Sequence, residues 1–351
     1  MQKPGGTLRT IGRALNLSDG TVSRALSGRG DIAQETRDRV AELAAELNYV
    51  PRRRVVVKPG ARLGRIAVCL GNRCVGPDGR LDPTYVGLNI LSQLERVASE
   101  AQVGVMVAFV DALGGGSQVD RLPMFQPGEA QGIVLVYPFP EAIVRRLAAR
   151  TPVVSIEHVY PSVSLDTIGP AHAMDAMSAV EHLYKLGHRR IAYVGDEEAA
   201  GHRLTMGLRH AGYVSGLARC DLPYRPEDVT NVLGPPVAKP QLAAHVAGLV
   251  RDGVTAVITS IDRHGYLLWD RLPAQGVRVP DDVSVVGIGG VYRAHGLPQL
   301  TTWRCQYDRL ASAALDALRS RAAGSPPTDL YMEIASTFVQ GGSSGPPNRQ
   351  R

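Results

Sequence analysis

Residues 18–27 read SDGTVSRALS, and several of them carry groups suited to reading donors and acceptors on another molecule. With a helix starting after Ser18, Val22, Ala25 and Leu26 turn inward, leaving Asp19, Gly20, Ser23, Arg24 and Ser27 facing out. The planar Arg24 guanidinium can donate two parallel bonds to paired acceptors. Asp19 can accept from a donor, and Gly20 offers no side chain. A face of this kind recognises; it makes and breaks no bonds.

Residue patterns that do bond chemistry are not met elsewhere. Glu181, His182 and His188 lie close in sequence without the HExxH spacing of a zinc hydrolase and fit an ordinary helix end. The run VVGIGGVY at 285–292 has Tyr292 where a dinucleotide loop needs its third glycine, and RAHGLPQL after it carries no helical pattern. No GxSxG elbow or Walker A loop occurs, so catalysis is not expected and no cofactor is implied. Cys69, Cys74, Cys220 and Cys305 are scattered without CxxC spacing and read as free thiols, not a disulfide framework or a metal site.

The elements that would position the reading face are three short helices. Thr7 can cap the first, from Leu8 to about Ala14, whose Leu8, Ile11, Ala14 and Leu15 share one side. Leu15-Asn16-Leu17 supplies the turn, because asparagine takes the left-handed conformation more readily than other side-chain-bearing residues. Ser18 then caps the second helix, which continues through Thr21 to Leu26 and stops at Ser27-Gly28-Arg29-Gly30. A third helix spans about Gln34–Leu47, with Val40, Leu43, Ala44 and Leu47 buried. A three-residue turn between the first two makes this a helix-turn-helix whose second helix can enter a major groove. Charge agrees: residues 1–58 hold eleven basic and six acidic side chains, most of the chain's net charge of +6.

From residue 63 the pattern changes to alternating strand-like and helical stretches. RIAVCL, a helix over 90–101, VGVMVAFV, GIVLVYP, a helix over 140–149 and PVVSIEH form one series. A second series has a helix over 174–186, RRIAYVG, helices over 204–210 and 241–251, TAVITS and VSVVGIG. The expected fold class is α/β: an N-terminal three-helix domain plus two doubly wound parallel-sheet subdomains, with ligand at the strands' C-terminal ends. With 351 residues the chain has room for several folding units. No run approaches the roughly 18 consecutive apolar residues of a membrane span, and the start, MQKPGGTLRTIGRALN, lacks a secretory apolar region. The expected location is cytoplasmic, away from membranes.

TLRTIGRALNLSDGTVSRALSG at 7–28 and ETRDRVAELAAELNYVP at 35–51 resemble the headpiece of the lactose-repressor/galactose-repressor (LacI/GalR) family. The resemblance continues in order through HLYKLGHRRIAYVGD at 182–196, GVRVPDDVSVVGIG at 276–289, LPQLTTWRCQ at 297–306 and GGSSGPP at 341–347. It implies a transcription regulator, most often a repressor, with a periplasmic-binding-protein-like core that takes a small effector such as a sugar or related metabolite. Its partners would be double-stranded operator DNA, that effector and a second copy in a homodimer, with a tetramer as the larger alternative. Carried over residue by residue, it places Ser18, Asp19, Gly20, Thr21, Ser23 and Arg24 at bases and nearby phosphates, and Thr7, Leu8 and Thr36 on the backbone. The implied division is 1–50 for DNA, 51–63 for a linker, 64–340 for the core and 341–351 for a disordered tail. Within the core, 64–160 plus 291–320 would form one subdomain and 161–290 plus 321–340 the other.

The family's linker helix puts a leucine in the minor groove. Here that position is Lys58, followed by Pro59-Gly60, which would end a helix. Arg52, Arg53 and Arg54 remain suited to phosphates or a narrow minor groove. For the effector the resemblance selects Asp262, although Ile261 replaces the usual asparagine and Gly289-Gly290 an acidic pair. It also selects Arg203, four residues before Gly207 where three is usual, with Tyr85 and Asp166 by approximate position. Two other readings are kept: a regulator that has lost its response to sugar, and a solute-binding protein without DNA function.

Overall fold

The computed structural model describes residues 8–27, 32–47, 63–71, 86–110, 122–126, 128–196, 203–232, 237–290 and 292–348. Thr7, Arg52, Arg53, Arg54, Tyr85 and the Lys58-Pro59-Gly60 linker lie outside them. The N-terminal unit is α1 (Leu8–Leu15), α2 (Asp19–Ser27) and α3 (Gln34–Glu46). Its turn closes as expected on Asn16, whose φ is 54°. The Leu17 N–H then donates to the Gly12 carbonyl at 2.8 Å. A Cβ on Gly12 would stand 2.7 Å from the Leu17 carbonyl oxygen, so the turn can pack this tightly only over a glycine. Ile11, Val22, Ala25, Val40 and Ala44 form the buried centre. Ala14, expected inside, is exposed, and Gly12 takes an inner position instead.

Among the described residues the core has two six-stranded sheets. In chain order the strands are β1 (Arg65–Gly71), β2 (Gly104–Val110), β3 (Gly132–Val136), β4 (Val153–Ile156), β5 (Asp166–Pro170) and β6 (Ile191–Val194). They continue with β7 (Val229–Thr230), β8 (Ala256–Thr259), β9 (Ser284–Gly289), β10 (Thr301–Arg304), β11 (Tyr331–Ile334) and β12 (Thr337–Val339). The first sheet runs β11-β5-β4-β3-β1-β2 and the second β12-β10-β9-β8-β6-β7. All neighbours are parallel except β12, which returns antiparallel to β10.

Central strands are apolar throughout because helices cover both faces. Along β1, Ile66, Val68 and Leu70 face α4 (Val86–Glu100) and α10 (Tyr307–Ala322), while Ala67 and Cys69 face α5 (Glu141–Ala148). The two-residue period sorts β6 in the same way. Ala192 and Val194 join α8 (Lys239–Arg251) and α9 (Asp262–Arg271), and Ile191 and Tyr193 join α6 (His172–Leu186) and α7 (Arg203–Arg219).

The strands divide the core differently from the expected boundaries. Residues 166–170 and 331–334 belong to the first sheet, and 301–304 to the second. Three passages are expected and three are found, but they fall after β5, β10 and β11, because an apolar run marks a strand without saying which sheet it joins. Residues 341–348 correct the expectation of a disordered tail. Ser343 is fully buried and exchanges backbone and side-chain bonds with Val285, while the Gly345 carbonyl lies 2.9 Å from His188 Nε2. Among the described residues, no helix is long and apolar enough to cross a membrane.

Candidate nucleic-acid interface and ligand cleft

The reading face stands as its period demands. Asp19, Gly20, Ser23 and Arg24 are exposed, and Thr21 is half-buried. Ser18 caps α2, its Oγ accepting the Thr21 N–H at 3.1 Å and lying 2.8 Å from the Thr21 hydroxyl. The cap satisfies a donor the helix start leaves open and fixes where the helix begins. Arg24 folds along its own helix, Nε donating to the Gly20 carbonyl at 3.3 Å. Leu8 and Thr36, the expected backbone contacts, are half-buried at helix starts.

The second cluster gathers at the C-terminal ends of the core strands. Tyr137 and Glu157, just past β3 and β4, take left-handed backbone with φ of 74° and 67°. Such strain in residues with side chains concentrates at binding sites and is held there by surrounding structure. Opposite them, Arg209 on α7 is 6% exposed. Its Nη1 donates to the Ser260 carbonyl just past β8, and its Nε to His172 Nδ1 at 3.2 Å. Since an arginine only donates, His172 accepts on Nδ1 and is neutral in this arrangement.

Two carboxyl groups share the arginine's surroundings. Burial pushes the Glu157 carboxyl above its ordinary range, and the Arg209 charge pulls it partly back. Burial likewise raises Asp175 on α6 to about 6, against the Ser336 hydroxyl and Arg209, which favour its charged form. Glu157 is carried by the first subdomain and Arg209 by the second, so this cluster spans the cleft. A buried cation opposed by two acids with raised proton affinity suits a polar ligand whose groups must match theirs.

Glycines bring α7 to this position. A Cβ on Gly212 would collide with the Ala173 carbonyl oxygen, and one on Gly216 would meet Val180 Cβ at 2.8 Å. The two helices therefore pack backbone to backbone, and Arg209, three residues before Gly212, is held against His172 and Asp175.

The expected effector residues fare differently. Asp166 opens β5, at the end of the strand away from the cleft, where its Oδ1 accepts the Thr328 N–H at 3.1 Å and hydroxyl at 2.6 Å. It ties a loop, and these two bonds account for an acid at a buried position. Asp262 begins α9 two residues after Ser260, is 3% exposed, and accepts the Thr302 hydroxyl at 2.6 Å. Gly287 leaves the space its Oδ1 occupies. Arg203 opens α7, and its side chain lies outside what is described, as does Tyr85. Among the described residues, Arg209 is an arginine that reaches the cleft. Its signal was present: the three-residue step to a glycine, missed at Arg203-Gly207, is met by Arg209-Gly212.

Comparison with known proteins agrees with both parts. A family model described as "Bacterial regulatory proteins, lacI family" matches residues 7–52, and one described as "Periplasmic binding protein-like domain" matches 180–344. The HTH-type transcriptional repressor CytR of Escherichia coli (strain K12) is 26% identical over 299 residues, covering 83% of this chain and 82% of that protein. Among solved structures, the CelR–cellobiose complex superposes with a TM-score of 0.64 at 21% identity, covering 96% of this chain and 99% of the other. The lac repressor dimer bound to operator and the anti-inducer ONPF gives 0.60 at 20% identity, covering 97% and 100%. Each part is thus matched by its own family model, the helix-turn-helix by the lacI family and the core by a periplasmic-binding-protein-like domain, and the chain as a whole is similar to bacterial transcription regulators.

Proposed function

We propose that the protein is a cytoplasmic, sequence-specific transcription repressor whose hold on DNA is set by a small polar metabolite, of the sugar class, in the cleft around Arg209 and Glu157. The observation that carries this reading is the capped α2 with its exposed Asp19-to-Arg24 face, joined in one chain to the cleft. The family supports it, as do a relative named a repressor and neighbours holding cellobiose or operator. A homodimer places two α2 helices on a two-fold operator. Edge strand β2 leaves Phe109 47% and Val107 40% exposed, apolar surface that a second copy would cover. Effector and DNA then bias one equilibrium reciprocally, with a coupling of about 1–3 kcal/mol.

The test is selection of duplexes from a random pool by the purified full-length chain. Two-fold sites with G·C pairs under Arg24 are the expected outcome. Half-sites of A·T alone would overturn the base assignment, and no preference among duplexes at low salt would overturn the regulator reading. Removing the charges of Arg52, Arg53 and Arg54 weakens binding to all duplexes alike and flattens its salt dependence. For the effector, a thermal-shift screen of sugars, nucleosides and phosphorylated metabolites finds whatever binds only the native state. A second reading, a regulator without sugar response, draws on Gly289-Gly290 and on Asp166 and Asp262 being committed to Thr328 and Thr302. Silence across that screen at millimolar concentration favours it.

A further inference from the structure

The three passages between the subdomains are tied to one another by a short set of bonds. The Ala171 N–H at the first passage donates to the Ile334 carbonyl at 3.0 Å, and Gln306 Nε2 after the second donates to the Ala335 carbonyl at 2.6 Å. Ser336 at the third sits between the others: its Oγ is 2.6 Å from Asp175 Oδ2 and 3.8 Å from Cys305 Sγ. A serine hydroxyl has one proton. Given to Asp175 Oδ2, which can accept whether the carboxyl is neutral or ionised, it leaves Oγ to accept from the Cys305 thiol, so one hydroxyl links all three passages. Asp175 itself is 3% exposed.

We propose that Asp175 is a positioning residue whose proton sets the subdomain equilibrium: the neutral acid holds the passages packed as described, and the ionised carboxylate favours an arrangement in which water reaches it. A buried carboxylate without full compensation is costly, and opening the passages relieves that cost. Burial raises the group from 3.8 to about 6, despite the Ser336 hydroxyl, the Arg209 guanidinium and the Ser336 backbone amide, with the Glu333 charge adding slightly to the rise. The packed state therefore binds the proton more tightly than a hydrated one. Its advantage is complete below the ordinary carboxyl range and is lost as pH rises through about 6. If the opened state has an ordinary carboxyl, the equilibrium changes by at most roughly a hundredfold.

The groups facing Asp175 come from each element around it. Arg209 lies on α7 and Glu333 on β11. Cys305 at the second passage is pushed up to about 12 by burial, and Tyr307 on α10 well above its ordinary value, so both stay neutral in the weakly acid range. His172, one turn earlier on α6, would have to give up its bond from Arg209 to gain a second proton. Glu157 across the cleft is also raised by burial and is the competing candidate.

The test uses the full-length protein without DNA or effector, so it can fail while the regulator reading stands, and the reverse. Carboxyl carbon NMR of aspartate-labelled protein follows Asp175, and hydrogen exchange of the Ala171 amide, corrected for the intrinsic rate, follows the passages. Protection should fall by about tenfold between pH 5 and 7.5, most of it below pH 6.5, with the Asp175 midpoint near 6. Asp175→Asn should keep high protection at every pH. Ser336→Ala, which removes a bond favouring the charged form, should move the Asp175 midpoint upward and serves if the asparagine variant does not fold. An Asp175 midpoint near the ordinary carboxyl value, or a pH slope that survives Asp175→Asn and disappears in Glu157→Gln, would overturn the proposal.

Discussion

On α2 the groups proposed to meet DNA stand in water, whereas in the cleft Arg209 is 6% exposed and shares its surroundings with Glu157 and Asp175. The first arrangement costs little to hold. Its side chains exchange water for base edges on contact, and its scaffold needs only the small core around Ile11 and Val22. The second is built from groups already stripped of water, so its donors, acceptors and protons are interdependent. Removing any one leaves a buried partner unmatched. An exposed reader can therefore change what it reads with little effect on folding, while a buried cleft couples what it binds to how its subdomains sit.

That contrast can be broken most forcefully at Gly212. Gly212→Val puts methyl groups into the Ala173 backbone and should cost more than about 4 kcal/mol in the second subdomain. Trp269 and Trp303 both lie there, so denaturant melts followed by tryptophan fluorescence report it directly. Arg209→Met leaves two buried carboxyl groups without their cation, at a cost of about 3 kcal/mol. With the cation gone both carboxyl groups hold protons more tightly, so the deficit should be larger at pH 7.5 than at pH 5.5 by the same melts. Ile11→Ala should cost about 2–3 kcal/mol in the headpiece alone. Operator retention would fall while the tryptophan melt stays unchanged. Ser18→Ala removes the cap for about 1 kcal/mol and should show as a lower headpiece melting temperature by circular dichroism.

The two regions also differed in how far the sequence disclosed them. In the headpiece every determinant is local: Asn16 for the turn, Ser18 for the cap, and a helical period that separates Val22 and Ala25 from Ser23 and Arg24. Even its one lapse, Ala14 for Gly12, came from a tight turn whose clash is with a backbone atom five residues along. The apolar strands of the core were legible for the same reason. The cleft was not, because Glu157, Asp175 and Arg209 come together from separate strand ends and helices, and no spacing encodes that meeting. Asp166 was misjudged because approximate position does not tell one end of a strand from the other. The three passages between the subdomains were placed off their true positions because periodicity finds a strand without telling which sheet it joins.

Base reading by α2 through Arg24 is tested most directly by comparing Arg24→Ala with the parent protein on a selected operator and on a scrambled duplex at one salt concentration. The predicted result is a loss of roughly tenfold on the operator, little change on the scrambled duplex and unaltered stability. Equal losses on both duplexes would contradict it, because Arg24 would then be holding phosphates and not recognising sequence.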